Sequence, residues 1–184
     1  AAPSADDRVR DMNDVLDFWF DELDPSRWYR KSDALDARIV ARFASLHQAI
    51  VAGERAAWRD TPDGRLAEII VLDQFSRNMF RGSPLAFATD PLALALAQES
   101  IRAGADTALD DSRRAFLYLP FMHSESALIH EEAMRLFADL PDLDFEIRHK
   151  AQIDRFGRYP HRNAVLGRVS TPEELEWLET NEGF

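Results

Sequence analysis

The sequence predicts an all-α domain. Three observations carry that class. Apolar residues recur at steps of three and four, proline pairs mark helix starts, and strand-hairpin signals are missing. The single Asp-Gly pair, Asp63-Gly64, follows Thr61-Pro62 at the head of a helical pattern rather than joining two alternating runs.

The elements follow in order. A first helix is expected over about Asp7 to Phe20, and a second over Asp33 to Ala52 with Gly53 as its stop. Thr61 reads as an N-cap with Pro62 at the first helical position, so a third helix runs to about Asn78. Asp90-Pro91 opens a fourth, from Pro91 to Ala103. A fifth starts near Asp110 and is expected to kink or end at Pro120, where a proline lacks the donor that the helix needs. A sixth spans Ser124 to Leu140, a seventh Asp142 to Phe156, and a short turn follows His161. Thr171-Pro172-Glu173-Glu174 carries a capping box and opens the last helix, Pro172 to Thr180. Connections are short, so consecutive helices are expected to pack as antiparallel neighbours. No linker or low-complexity tract interrupts the chain, and residues 1–184 read as one domain.

Composition narrows the function classes. The chain has 184 residues, with 22 basic side chains against 33 acidic ones and a formal charge of −11. That balance argues against nucleic acid or an anionic membrane as the main partner. Cysteine is absent, which excludes disulfides, a thiolate nucleophile, an iron–sulfur cluster and cysteine-ligated zinc. No apolar run approaches the roughly 20 residues of a membrane helix, and no signal-peptide core lies in Ala1 to Arg8. A cytoplasmic protein is the expectation. Phosphate-loop, dinucleotide and nucleophile-elbow patterns do not occur. Glu146 and His149 make one Glu-x-x-His step without the second that a carboxylate-bridged metal pair needs, so neither a metal nor another cofactor is expected.

One pattern occurs twice. Asp73-Gln-Phe75-Ser-Arg77-Asn-Met-Phe-Arg81 has the form D-x-F-x-R-x-x-x-R, and so has Asp154-Arg-Phe156-Gly-Arg158-Tyr-Pro-His-Arg162. The separation is about two units of a helical repeat of 34 to 47 residues, or else a coincidence of two helix ends. The third helix is apolar nearly all round, which places Asp73 and Arg77 in or beside the core. Charges there must be paired, because an isolated one costs several kcal/mol. Two readings stay open: an internal Asp–Arg lock between helices, or a groove floor that presents Arg77 and Arg81 to an anion.

The stretch from Arg148 to Arg168 holds Arg148, Lys150, Arg155, Arg158, Arg162 and Arg168 against one acid, Asp154. Arginine forks match carboxylate and phosphate oxygens. These side chains either meet a small anion or pair with the acidic surface, notably the tail holding Glu173, Glu174, Glu176, Glu179 and Glu182. His123, beside the Pro120 break, is an acid–base candidate or a satisfied core histidine. Trp19, Trp28 and Trp58, with Phe18 and Phe20, either line a groove or pack the core between the first helices.

Trp19-Phe20, Leu72-Asp-Gln-Phe-Ser-Arg-Asn-Met-Phe-Arg-Gly82, Leu119-Pro-Phe-Met-His-Ser-Glu125, Arg155-Phe-Gly-Arg-Tyr-Pro-His-Arg-Asn163, Leu166-Gly-Arg and Ser170-Thr-Pro-Glu-Glu together resemble the bacterial domain-of-unknown-function family 924. The resemblance covers about Val15 to Phe184. It departs at Ser76, where the family usually has Pro, and this is expected to loosen the turn after Phe75. The resemblance implies a fold similar to tetratricopeptide-like right-handed superhelices of stacked helical hairpins. It implies no activity or cofactor. Its polar motif positions map to Asp73, Gln74, Arg77, Asn78, Arg81, His123, Glu125, Arg158, His161, Arg162 and Asn163.

The first expectation is therefore a binding module. Arg77, Arg81, Arg158 and Arg162 hold a carboxylate or phosphate of a small molecule or peptide, and Asp73 and Asp154 orient the guanidiniums. The alternative is a small-molecule hydrolase or isomerase with His123 or His161 as acid–base group and arginines stabilising an anion. A third is a purely structural lattice of charge pairs. Oligomeric state is not legible in the sequence.

Overall fold

The computed structural model describes residues 4–181 and 183. The helices are α1 (Ala5–Leu16), α2 (Asp33–Val51), α3 (Pro62–Ile70), α4 (Ser76–Met79), α5 (Asp90–Arg102), α6 (Asp111–Met122), α7 (Ala127–Leu136), α8 (Leu143–Phe156), α9 (Asn163–Leu166) and α10 (Pro172–Thr180). No strand occurs among the described residues. The all-α class expected from periodicity is what the chain adopts, and no described helix is long and apolar enough to cross a membrane.

The caps behave as their side chains dictate. Thr61 accepts from the Gly64 amide, and Thr171 and Glu174 form a reciprocal capping box at the start of α10. Pro120 does not end its helix. It lies inside α6, which runs two residues further to Met122. A proline this close to a C-terminus forfeits one backbone bond, and the turn beyond it still closes, with the His123 amide donating to Leu119 O. The sixth expected helix is shorter than its pattern: α7 stops at Leu136, and a turn fills the way to α8.

Two helices contain a widened π turn. One, Asp17–Glu22, prolongs α1, and the other, Val71–Phe75, joins α3 to α4. Each such turn inserts a residue and re-aims the side chains after it. Ser76, the first residue after the second π turn, is fully buried and does not loosen it. Its hydroxyl lies 2.7 Å from His47 Nε2 and 3.1 Å from Thr89 Oγ1, which ties α3–α4 to α2 and to the start of α5.

The third helix is central, as its nearly continuous apolar surface predicts: Leu66, Ile69, Ile70, Val71, Leu72 and Phe75 are all fully buried. It packs on α1, α5 and α6, while α5 to α8 each pack on the next in sequence. The tryptophans belong to the core rather than to a groove. Trp19 is buried edge-on against Phe75 and Phe116, at 5.8 and 5.6 Å between ring centres. Trp28 donates to Trp19 O at 2.9 Å. Full burial of each such ring stabilises by about 1.5–3 kcal/mol. This packing seats the π turn at the base of a polar cluster.

Candidate functional site

The cluster begins with Asp73, which the π turn places inside the protein with 1% of its side chain exposed. Its carboxylate accepts from three side chains. Gln74 Nε2 donates at 2.9 Å, Arg77 Nη1 at 3.0 Å and His123 Nδ1 at 2.7 Å. Burial alone would raise the Asp73 pKa, but His123, Arg77 and these hydrogen bonds hold it below the usual carboxylate range. An ionised carboxylate only accepts, so a proton sits on His123 Nδ1; burial and the neighbouring Arg77 disfavour a second proton on the ring, which leaves Nε2 its lone pair.

Arg77 is shared. Its Nη1 also donates to Asp90 Oδ1 at 2.8 Å, and its Nη2 to Asp90 Oδ2 at 2.9 Å. Burial opposes its charge, and the Asp73 and Asp90 carboxylates more than reverse that effect. Arg162 completes the cluster from the other end of the chain. Its Nη2 donates to the backbone oxygen of His123 at 3.0 Å, and its Nη1 comes within 3.8 Å of Asp90 Oδ2. The polar contacts thus run in a closed circuit, from Asp73 to His123, Arg162, Asp90, Arg77 and back. The circuit reaches the surface at one edge, where His123, Asp90 and Arg77 keep between 14% and 19% of their side chains exposed.

Arg162 differs from the other arginines of the motifs. Only 8% of its side chain is exposed, and its guanidinium lies over the rings of Phe87 and Tyr159, 4.5 and 4.7 Å from their centres. Its buried Nε has no hydrogen-bond partner among the described residues. Burial and then Arg77 push its pKa below the ordinary guanidinium value. Two more imidazoles pack around Tyr159: His149 at 5.7 Å and His161 at 5.8 Å between ring centres. Burial pushes the His149 imidazole down to about 3 and the His161 imidazole to about 4, so both are neutral near pH 7. Buried Nδ1 of His161 has no described hydrogen-bond partner either.

The sequence pattern of a family described as bacterial proteins of unknown function (DUF924) matches residues 15–182. The chain belongs to that family. A solved structure described as a protein of unknown function from Agrobacterium tumefaciens is similar to it. That structure has a TM-score of 0.91 and 39% sequence identity, over 95% of this chain and 100% of the other. Among curated proteins nothing matches.

The DUF924 motif positions divide into three groups. Asp73, Gln74, Arg77, His123 and Arg162 meet in the circuit, with His161 beside it at Tyr159. Asn78 and Arg81 stand apart on Asp36. Asn78 donates to Oδ1 at 2.8 Å and Arg81 Nε to Oδ2 at 2.7 Å, in a shallow surface depression of about 430 Å³ that Lys31 also lines. Arg158 and Asn163 stand apart on Glu174, whose carboxylate accepts from Arg158 Nη2 at 2.7 Å and from Asn163 Nδ2 at 2.9 Å. Glu125 is bound bidentately by Arg168 at 2.7 and 2.9 Å and accepts from the Tyr159 amide, which ties it to the rim of the circuit.

Several members of the cluster were not visible in the sequence. Asp90 read only as a helix start, yet it joins the two arginines. Phe87 and Tyr159 gave no signal beyond being aromatic. A buried pair, His130 Nδ1 and Glu146 Oε1 at 2.6 Å, supports Tyr159 from behind, with the tyrosine hydroxyl 3.1 Å from His130 Nε2. The surplus of arginines over nearby acids was the one available hint that distant carboxylates had to fold in.

Proposed function

We propose that the protein is a cytoplasmic binding module that holds the anionic group, carboxylate or phosphate, of a small molecule or peptide at Arg162. One observation supports this above the others. Among the described residues, Arg162 is a buried guanidinium whose nearest carboxylate stays at 3.8 Å and whose Nε has no partner, while Arg77, Arg81 and Arg158 already carry close carboxylates. A buried guanidinium without a close carboxylate is underpaired, and an anion at its Nη groups would supply the missing charge partner. Asp73 and Asp90 hold Arg77 in place, so the site is formed before the ligand arrives and little ordering cost remains.

The test is a thermal-shift screen of small carboxylates and phosphates on wild type and Arg162→Ala. Binding to the native state alone stabilises by about 2.7 kcal/mol at a hundredfold excess over Kd. A stabilising compound that loses its effect in the variant supports the site. Equal responses from both proteins overturn it.

A second reading has its own support. The 2.7 Å contact between Asp73 and His123 Nδ1 leaves Nε2 as a base, in the manner of an acid-oriented histidine. A hydrolase or isomerase acting on the anion bound by Arg162 would use that atom. Turnover abolished in His123→Gln, with anion binding retained, would separate catalysis from binding.

A further inference from the structure

We propose that the ligand of this site is a hydroxycarboxylate, with its carboxylate on Arg162 and its hydroxyl donating to Nε2 of His123. The inference rests on the anion reading above and specifies the chemistry of the molecule.

The first part of the argument is geometric. The Arg162 guanidinium lies over the rings of Phe87 and Tyr159, which offer it no hydrogen-bond acceptor, and its N–H groups point outward in its own plane, so a polar partner meets it in that plane. In-plane approach is the geometry in which a carboxylate takes two parallel hydrogen bonds from a guanidinium. The second part is a charge balance. Asp73 and Asp90 already stand against Arg77 and Arg162 within the circuit. A phosphate dianion would place two negative charges beside two carboxylates in a partly dry site. A monoanion places one.

The third part is the hydrogen-bond inventory. His123 presents Nε2 as an acceptor because Nδ1–H is committed to Asp73. Next to it, 6.4 Å away between ring centres, His149 donates Nδ1–H to Phe145 O at 2.6 Å, and a backbone oxygen admits no other tautomer. An acceptor in a partly buried site calls for a donor on the ligand. An ammonium donor would meet the positive charges of Arg77 and Arg162, whereas a hydroxyl is a neutral donor. A site built to receive a hydroxyl discriminates strongly against the analogue without one, because its own acceptor is then left unpaired.

The experiment compares butanoate, 2-hydroxybutanoate, 3-hydroxybutanoate and inorganic phosphate by calorimetric titration of the full chain. The expected result is that one hydroxybutanoate binds at least about tenfold more tightly than butanoate and phosphate. The preference should shrink to within about twofold in His123→Phe. Nitrogen NMR of the wild-type protein gives a second measurement that does not depend on the variant folding. The hydroxy acid should shift the His123 Nε2 resonance in the direction of an accepted hydrogen bond, and butanoate should not. Butanoate or phosphate binding as tightly as both hydroxy acids overturns this inference and leaves the anion site standing. No binding by any of the four, with the wild type also unresponsive across the wider screen, overturns both.

Discussion

The two copies of D-x-F-x-R-x-x-x-R fold into opposite patterns of burial. In the first, the leading Asp73 is 1% exposed and the closing Arg81 is 36% exposed. In the second, Asp154 is 50% exposed and Arg162 is 8% exposed. The middle arginines differ as well: Arg77 joins two carboxylates of the circuit, and Arg158 reaches forward to Glu174 in α10. The backbone explains the inversion. The first copy stays helical through a π turn, so Asp73 and Arg77 remain neighbours one turn apart. The second breaks at Gly157, with φ of 71°, so its aspartate stays on the surface of α8 while the following residues turn inward. A shared pattern of residue types therefore says little about which of its charges becomes a site. The end of each copy whose side chain reaches His123, just past α6, supplies the cluster.

This contrast can be broken by experiment. Asp73→Ala removes the acceptor of Gln74, Arg77 and His123, and should cost about 3–5 kcal/mol in chemical denaturation. Asp154→Ala, which loses a surface contact with Lys150, should stay within about 0.5 kcal/mol. Similar losses from both would mean that the copies are equivalent after all.

Acid should act through the buried histidines, of which His161 lies in the second copy and His149 just before it. Unfolded, His149 and His161 take up protons near the ordinary value of 6.5; folded, they do so only near about 3 and about 4. Between those limits the unfolded chain binds more protons, so stability falls as pH falls from about 6.5 toward about 4. Denaturation midpoints across that range should show the slope, and His161→Phe should flatten part of it.

Smaller effects sharpen the comparison. Gly157→Ala forces a side chain into left-handed backbone and should cost about 1–2 kcal/mol, read as a shift in melting temperature. Arg81→Ala should cost at most about 1 kcal/mol, because its ion pair with Asp36 is partly solvated, and should leave anion binding unchanged in the calorimeter.

Much of the site was legible in kind and less of it in arrangement. The apolar surround of α3 announced that Asp73 and Arg77 needed partners, and they pair with each other. The excess of arginine near the C-terminus announced acceptors elsewhere, and Arg155 and Arg158 do reach Glu173 and Glu174. The four-arginine groove expected from the two motifs is divided in space: Arg77 and Arg162 meet at Asp90, Arg81 sits on Asp36, and Arg158 sits on Glu174. Local pattern places a residue on a helix face. It does not say which distant carboxylate will arrive there.

The sequence by itself determined the helical class, the helix starts at Thr61 and Thr171, and the buried character of α3, because caps and apolar periodicity act over a few residues. Only the tertiary structure decided the rest. The widening of the helix at Val71–Phe75, the meeting of Arg77 and Arg162 across Asp90, and the packing of the Arg162 guanidinium on Phe87 and Tyr159 depend on residues far apart in the chain. Such contacts form where close packing leaves room for them, and packing is a property of the whole fold.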